Sequence, residues 1–248
     1  MLDAIKRWLT SEPPPSGWEE IAAWARKQKF PFKTTKDGEG FVIEGSFSDR
    51  PWRLEWGPPQ RSYIGTHELR LRMELGLPAW MQMMLMSRSL METLERETFE
   101  RYTEGMQTQI DVSTPEEMRW LAMFPKASPA FGRELRSLVG VVAHDPQLGV
   151  QWADGLLAQR LEVVTKTLLA DQAPLLMMTL RGRLYLRHAL PQPHPAPVAA
   201  AIALFDAGAQ AAVQALETQA EGQPGWQSTA STAWQTQLDP EDKPPPRG

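Results

Sequence analysis

The spacing of apolar residues changes from helical to alternating near residue 40, and this change constrains the fold most strongly. Apolar and polar side chains alternate in three consecutive runs, at residues 41–47, 52–56 and 68–75. Each run therefore has one apolar and one polar face, which is typical of an antiparallel sheet with one face in water. The Asp37-Gly38 pair just before them is a hairpin-turn signal. We expect residues 30–75 to form a meander of three to five strands.

Helical spacing dominates much of the remaining chain. It predicts helices over residues 17–29, 79–102, 147–170 and 197–219. The 79–102 segment is the strongest of these, and its apolar first half, AWMQMMLM, is expected to be buried. Its methionines could form an adaptable docking groove, but core packing is the favoured interpretation. These methionines are Met81, Met83, Met84, Met86 and Met91.

Shorter elements complete the second half. We expect a helix over 114–124, a helix near 129–137 and a strand near 138–143. Leu175–Leu180 and Leu184–Leu190 flank Arg181-Gly182, which predicts a tight hairpin.

The predicted fold class is α+β, with one or more antiparallel sheets packed against long helices. Residues 1–15 form an N-terminal segment with a Pro-rich linker, and residues 16–220 form the α+β body. Residues 221–248 are rich in Gly, Gln, Ser, Thr and Pro and are expected to be disordered. The body fits one continuous domain as well as two α+β lobes with a boundary near 105–125.

Composition excludes several chemistries. The 248 residues include no Cys, so disulfides, a thiolate nucleophile, Cys-ligated zinc and iron–sulfur clusters are ruled out. Six acidic and two basic side chains fall within residues 190–248, so this region accounts for the whole formal charge of -4. A neutral body with an acidic end gives no electrostatic reason to expect nucleic-acid binding.

Two segments bear on location. The N-terminal MLDAIKRWLTSEPPP lacks the apolar stretch of a signal peptide. The span from Ala196 to Leu216 is long enough for a membrane but is mostly Ala and contains Asp206, which is costly in a bilayer. We therefore expect no transmembrane segment and a cytoplasmic location.

A basic strand face is the first candidate site. Arg181, Arg183, Tyr185 and Arg187 fall on one side of a strand by their period of two. Arginines beside a tyrosine could bind an anionic small molecule. The alternative, which we favour, is a solvated face on which these arginines pair with acids such as Glu68 or Glu74.

No motif identifies catalysis or a metal. The four histidines, His67, His144, His188 and His194, show no metal-ligand spacing, and His188 is predicted to be a hydrogen-bonded core residue. Asp111, Glu116 and Glu117 are read as helix-capping and first-turn charges. Catalytic residues are unknown, we expect no metal or cofactor, and a non-catalytic role is favoured.

The termini carry isolated apolar anchors. Trp226, Trp234 and Leu238 lie in an otherwise polar segment. At the other end, Leu2, Ile5 and Trp8 precede Pro13-Pro14-Pro15. Such anchors are what a segment that folds on binding needs.

The leading hypothesis is therefore a protein–protein interaction module, adaptor- or chaperone-like, with docking segments at its termini. The alternative is an anionic small-molecule binding domain or enzyme that uses the Arg/Tyr strand face. The partner and the oligomeric state are left open.

Overall fold

The structure is a computed structural model that describes residues 17–104 and 114–222. In these ranges the chain forms a nine-stranded antiparallel sheet with seven α-helices, which confirms the α+β class. The predicted N-terminal segment lies outside the described residues, and so does the predicted disordered tail beyond Gly222. Residues 221 and 222 of that tail belong to the last helix instead.

One sheet runs through both halves of the chain. Its spatial order is β1-β2-β3-β4-β9-β8-β5-β7-β6, and every neighbouring pair is antiparallel. Strands from either side of the 105–125 segment pair at β4–β9, over seven residue positions, and also at β5–β7 and β5–β8. The strands are β1 (Phe32–Thr34), β2 (Phe41–Phe47), β3 (Arg50–Gly57), β4 (Glu68–Glu74), β5 (Met83–Ser87), β6 (Lys126–Ala127), β7 (Val139–Ala143), β8 (Leu175–Leu180) and β9 (Arg183–Ala189).

Helices pack along most of one face of the sheet and on part of the other. A short 3₁₀ turn, Ala170–Gln172, precedes β8. The α-helices are α1 (Glu19–Lys27), α2 (Arg88–Glu104), α3 (Glu116–Met123), α4 (Arg133–Leu138), α5 (Pro146–Ala153), α6 (Leu156–Leu168) and α7 (Pro195–Gly222).

The main core lies between the covered face and helices α1, α5, α6 and α7. Helix α7 approaches β8 so closely that a Cβ on Gly208 would lie 2.3 Å from the Met177 sulfur. The same turn of α7 accepts a hydrogen bond of 3.0 Å from the indole of the buried Trp152 to the Gly208 carbonyl. Among the described residues, one helix, Pro195–Ala220, is long and apolar enough to cross a membrane by length and composition. That helix packs on the sheet, and Leu204 and Phe205 are fully buried there.

The second face of the sheet is divided into two halves. Over β5, β7 and β8 it is apolar, and a second core there includes Leu90 and Leu94 of α2 and Met118 and Trp120 of α3. Over β1, β2, β3, β4 and β9 the face carries polar side chains, and we call this region the open half-face. Its charged and aromatic residues are Lys33, Glu44, Arg53, Glu55, Glu68, Arg70, Arg72, Glu74, Arg183, Tyr185 and Arg187.

Two helix predictions were wrong in part. Residues 83–87 form strand β5, and helix α2 begins only at Arg88. All five residues of β5 are buried because both faces of this strand are covered, so no alternation marks it as a strand. The 147–170 helix is broken at Asp154–Gly155, where Gly155 has φ 68° and ψ −118°. All five predicted core methionines are buried.

Candidate functional site

The open half-face is organised by strand register. Alternation points Glu44, Arg53, Arg72 and Tyr185 to the same side of β2, β3, β4 and β9, and the register places them side by side in one row. The row continues onto Met178 of β8, directly opposite Tyr185. This row thus leads from charged residues past a tyrosine to the second core. We call Glu44, Arg53, Arg72 and Tyr185 the Arg72 row.

Three of the four predicted strand-face residues lie together. Arg183, Tyr185 and Arg187 all point from β9 into the open half-face. The placement of Arg181 on that face was wrong, because Arg181 lies in the β8–β9 turn with φ 51°. A tight two-residue connection needs a left-handed conformation there, so the alternation stops before the turn.

Two of these arginines are paired with acids. The Arg187 guanidinium lies 2.5 Å from Glu68 Oε1, and Arg183 Nε lies 2.7 Å from Glu74 Oε2. These are the two acids that the sequence indicated for a cross-paired face. The hydrogen bond to Glu74 is the main cause that raises the pKa of Arg183 above its usual value. The charges of both arginines are therefore already taken up within the sheet.

Arg53 is paired with two acids. It donates to Glu44 Oε1 at 3.0 Å and to Glu55 Oε1 at 2.6 Å. The bond to Glu55 is the main cause that raises the pKa of Arg53. Burial alone would raise the pKa of Glu55, but the hydrogen bond and charge of Arg53, with the charges of Arg70 and Arg72, lower it overall. Both groups of this pair are thus held charged at neutral pH.

Arg72 differs from the other basic residues of the open half-face. It is exposed, and within the described ranges it makes no hydrogen bond and no ion pair. Its direct neighbour on β3 is Arg53, and its direct neighbour on β9 is Tyr185. An open depression of about 540 Å³ lies here. Its charged lining residues are Glu44, Arg53, Arg72, Glu74 and Arg183.

The β3–β4 loop covers the other end of the open half-face. The backbone N–H of Gln60 donates to Glu68 Oε2 at 2.7 Å, and the carbonyl of Pro58 accepts from Arg70 at 2.9 Å. Glu68 is fully buried as a result. Within residues 17–104 and 114–222, no such cover lies over the Arg72 end, where Arg72 is exposed.

The same loop is fastened to helix α3 by one buried carboxylate. Glu117 Oε1 accepts from Arg61 Nε at 2.6 Å and from the Tyr63 hydroxyl at 2.9 Å. Burial, followed by the charge of Glu117, raises the pKa of Tyr63, so the phenol remains a donor. The assignment of Glu117 to helix capping was incomplete, because its side chain is 1% exposed and serves this contact. We call these three residues the loop latch.

The histidines lie apart. His67 stacks on Trp56 at 4.4 Å between ring centroids, while His144 contacts Phe124 edge-on. His194 lies 3.4 Å from Glu20 at the surface. No group of three possible metal ligands occurs in the part of the chain that the structure describes.

His188 is the buried member of this set, as the sequence predicted. It lies on the covered face, and its Nδ1 is 3.1 Å from the Pro174 carbonyl. Burial lowers the pKa of this histidine to about 4, so the ring is neutral at pH 7.

Sequence reasoning missed the central position of Arg72 and the contact of Glu117 with Arg61 and Tyr63, and it identified Glu68 only as a cross-strand partner of the β9 arginines. The alternation of Glu68, Arg70, Arg72 and Glu74 was visible, but the neighbours across β3 and β9 were not. The predicted docking residues Leu2, Ile5, Trp8, Trp226, Trp234 and Leu238 lie outside the described residues, as does Asp111.

Comparisons with known proteins do not identify a relative. No protein-family model matches the chain. No curated protein and no solved structure is significantly similar to it.

Proposed function

We propose that this protein is a non-catalytic protein–protein interaction module, adaptor- or chaperone-like, and that its open half-face binds acidic segments of a partner. The observation that carries the proposal is the uncovered Arg72 end of this face. There the sheet exposes a charged surface that no helix of the described chain covers.

Charge supports an acidic partner. The open half-face carries six basic and four acidic side chains, although the chain as a whole has a formal charge of -4. A locally positive surface on an otherwise acidic protein favours encounter with a negatively charged segment. Because most of these charges are paired with one another, the attraction is local and strongest at Arg72.

The shape of the site also favours an extended peptide over a small molecule that would need a deep pocket. The depression is open, and its base is formed by strands β2, β3, β4 and β9. Continuous antiparallel pairing of β2, β3, β4 and β9 holds this base in place. A rigid, wide surface lets an extended segment bind with little ordering cost to this protein.

Binding and its location can be tested together. A fluorescein-labelled peptide of alternating Glu and Leu would be titrated with the full chain, and a Gln/Leu peptide serves as control. We expect tighter binding of the Glu/Leu peptide and a loss of affinity as salt is added. Equal binding of the two peptides, or none, would refute the proposal.

Cross-linking then maps the bound peptide. Carbodiimide couples peptide carboxylates to lysine amines in contact with them. Lys33 lies on the open half-face and is exposed, whereas Lys166 lies on α6 of the covered side. We expect cross-links at Lys33 and not at Lys166, and the reverse pattern would place the interaction elsewhere.

The terminal segments belong to the same proposal. Trp226, Trp234 and Leu238 would add apolar contacts to a partner that the open half-face binds. Removal of residues 223–248 should then weaken binding of a protein partner and leave the melting temperature unchanged, since the described helix α7 ends at Gly222. The cytoplasmic location likewise stays a prediction, which fractionation of cells expressing the protein would check.

An anionic small molecule is the second candidate. The depression of about 540 Å³ is within the usual size range of small-molecule sites. Native mass spectrometry of freshly purified protein would test it. A reproducible added mass that is lost in an Arg72→Gln variant supports this candidate, and an unmodified chain mass counts against it.

A further inference from the structure

We propose that Arg72 is the position at which this module binds a single carboxylate of the partner's acidic segment. The inference rests on the proposed function and deepens it, because it names one subsite and the group that occupies it. It is carried by three features: the hydrogen-bonding state of Arg72, the charges around it and the neighbours in its row.

Arg72 is available to bind an anion, because its guanidinium makes no hydrogen bond or ion pair within the described ranges. Every other basic residue of the open half-face makes an ion pair: Lys33, Arg53, Arg70, Arg183 and Arg187. Arg72 also faces Arg53 directly across β3 and β4, and like charges in that position repel. A bound carboxylate would accept two parallel hydrogen bonds from the guanidinium and relieve this repulsion.

The surrounding charges favour a carboxylate over a phosphate. The depression brings together three arginines, Arg53, Arg72 and Arg183, and two glutamates, Glu44 and Glu74. Within this lining the arginines outnumber the glutamates by one, while Glu55, which lies outside the lining, also pairs with Arg53. A carboxylate carries one negative charge, which matches this excess, whereas a phosphate monoester carries close to two and is repelled more strongly by the same two glutamates.

The row neighbours indicate what accompanies the carboxylate. Tyr185 lies directly beside Arg72 and is half-buried against the second core, with Met178 behind it. Leu180 of the same strand as Met178 is also partly buried against that core. An apolar or aromatic side chain next to the acidic residue could therefore lie on Tyr185 and Leu180. The recognised unit is an acidic residue with an apolar neighbour.

A double-mutant experiment tests this assignment. The Glu/Leu peptide and peptides with each Glu replaced in turn by Gln are titrated with wild type, Arg72→Gln and the matched control Arg26→Gln. Arg26 is an exposed arginine on α1, away from the open half-face. We expect Arg72→Gln to weaken Glu/Leu binding about 5-fold, as for an exposed charge pair. Arg26→Gln should change it little.

The peptide substitution provides the specific readout. One Glu→Gln change in the peptide should weaken binding to wild type by the same factor. That change should not alter the affinity of the Arg72→Gln variant, because the peptide change and the protein change each remove the same contact. A phosphoserine in place of that Glu should bind no more tightly. Arg72→Lys should retain only part of the affinity, since an ammonium cannot make the paired contact.

The outcomes separate the two proposals. If the Glu/Leu peptide binds wild type no better than the Gln/Leu peptide, the proposed function fails, and with it this subsite. If the acidic peptide binds but Arg72→Gln and Arg26→Gln have equal effects, the function stands and the subsite is wrong. Tighter binding of the phosphoserine peptide would overturn the carboxylate assignment alone. Identical thermal unfolding of the two arginine variants checks that both are folded.

Discussion

At the scale of single residues, three ionisable side chains of the described chain are buried, and each is stabilised in a different way. Glu68 is held by two arginines and a backbone N–H, and Glu117 by an arginine and a tyrosine hydroxyl. His188 has one carbonyl as its partner and no acid. Each glutamate therefore has an arginine beside it, whereas His188 must remain neutral, because an unpaired buried charge is strongly unfavourable.

His188 should make the protein less stable in mild acid. Burial lowers its pKa in the folded state to about 4, from 6.5 in the unfolded chain, although the Pro174 carbonyl opposes part of this shift. Between these two values the unfolded state binds more protons, so stability is lost as the pH falls from about 6.5 to about 4. Between pH 7 and pH 5 we expect the free energy of unfolding to fall by about 2 kcal/mol because of this residue.

Urea denaturation of wild type and His188→Leu at the two pH values measures this contribution. Carboxylates that also titrate affect both proteins, so the difference between the two pH dependences isolates His188. The variant should show the flatter dependence. Parallel curves would mean that folding does not lower the pKa of His188.

At the scale of elements, the sequence predicts strands that have one face in water but not the strand that is buried on both faces. Strands β2, β3 and β4 alternate because their open half-face is polar. Strand β5 has a core on each side, so MMLMS carries no alternation and resembles the first turn of the helix that follows it. A short apolar run does not distinguish a buried strand from a buried helix.

At the break between α5 and α6, the expected effect of Gly155→Ala on stability is opposite to the effect that helix propensity predicts. Ala is a better helix former than Gly, so within one continuous helix Gly155→Ala would stabilise the protein. Gly155 instead has φ 68° and ψ −118°, a conformation that is strained for any residue with a Cβ. We expect Gly155→Ala to lower the free energy of unfolding by about 1–3 kcal/mol.

Gly132→Ala is the matched control for this substitution. Gly132 has φ −57°, and a Cβ there would meet no atom within 4 Å. Chemical denaturation should therefore show a change of under about 1 kcal/mol for Gly132→Ala. A stabilised Gly155→Ala protein would show that residues 147–170 can form one helix.

At the scale of the whole molecule, the loop latch links the open half-face to the helices over the second core. Arg61 and Tyr63 lie in the β3–β4 loop, and Glu117 lies on α3, more than fifty positions away. The loop in turn covers the Glu68 end of the open half-face. Loss of the latch should therefore expose a surface that the native loop covers.

Glu117→Gln should loosen this loop. The neutral amide keeps the shape of the side chain but leaves the partly buried Arg61 without an opposite charge, which costs about 1–3 kcal/mol. We expect faster amide hydrogen exchange in residues 58–67. Glu116→Gln is the control, because Glu116 pairs with Arg119 of the same helix. Equal exchange in the two variants would show that the latch does not hold the loop.

The candidate site was predictable only in part. The alternation in residues 183–187 correctly placed Arg183, Tyr185 and Arg187 on one face, and it indicated Glu68 and Glu74 as their partners. It did not identify Arg72, whose significance depends on having Arg53 on one side and Tyr185 on the other. Those neighbours follow from strand register, which single-strand periodicity does not contain.

The sequence by itself determined the elements whose signals are local. Alternation marked β2, β3, β4 and β9, turn residues marked the β8–β9 hairpin, and helical spacing marked α7. These signals are local because side-chain direction repeats within a few residues along a strand or helix. Only the tertiary structure decided that β4 pairs with β9, that β5 is a strand, and that no described helix covers the open half-face. Glu68 and Arg187, for example, are 119 positions apart in the chain. Such contacts depend on which faces become buried together, and no short stretch of sequence specifies that.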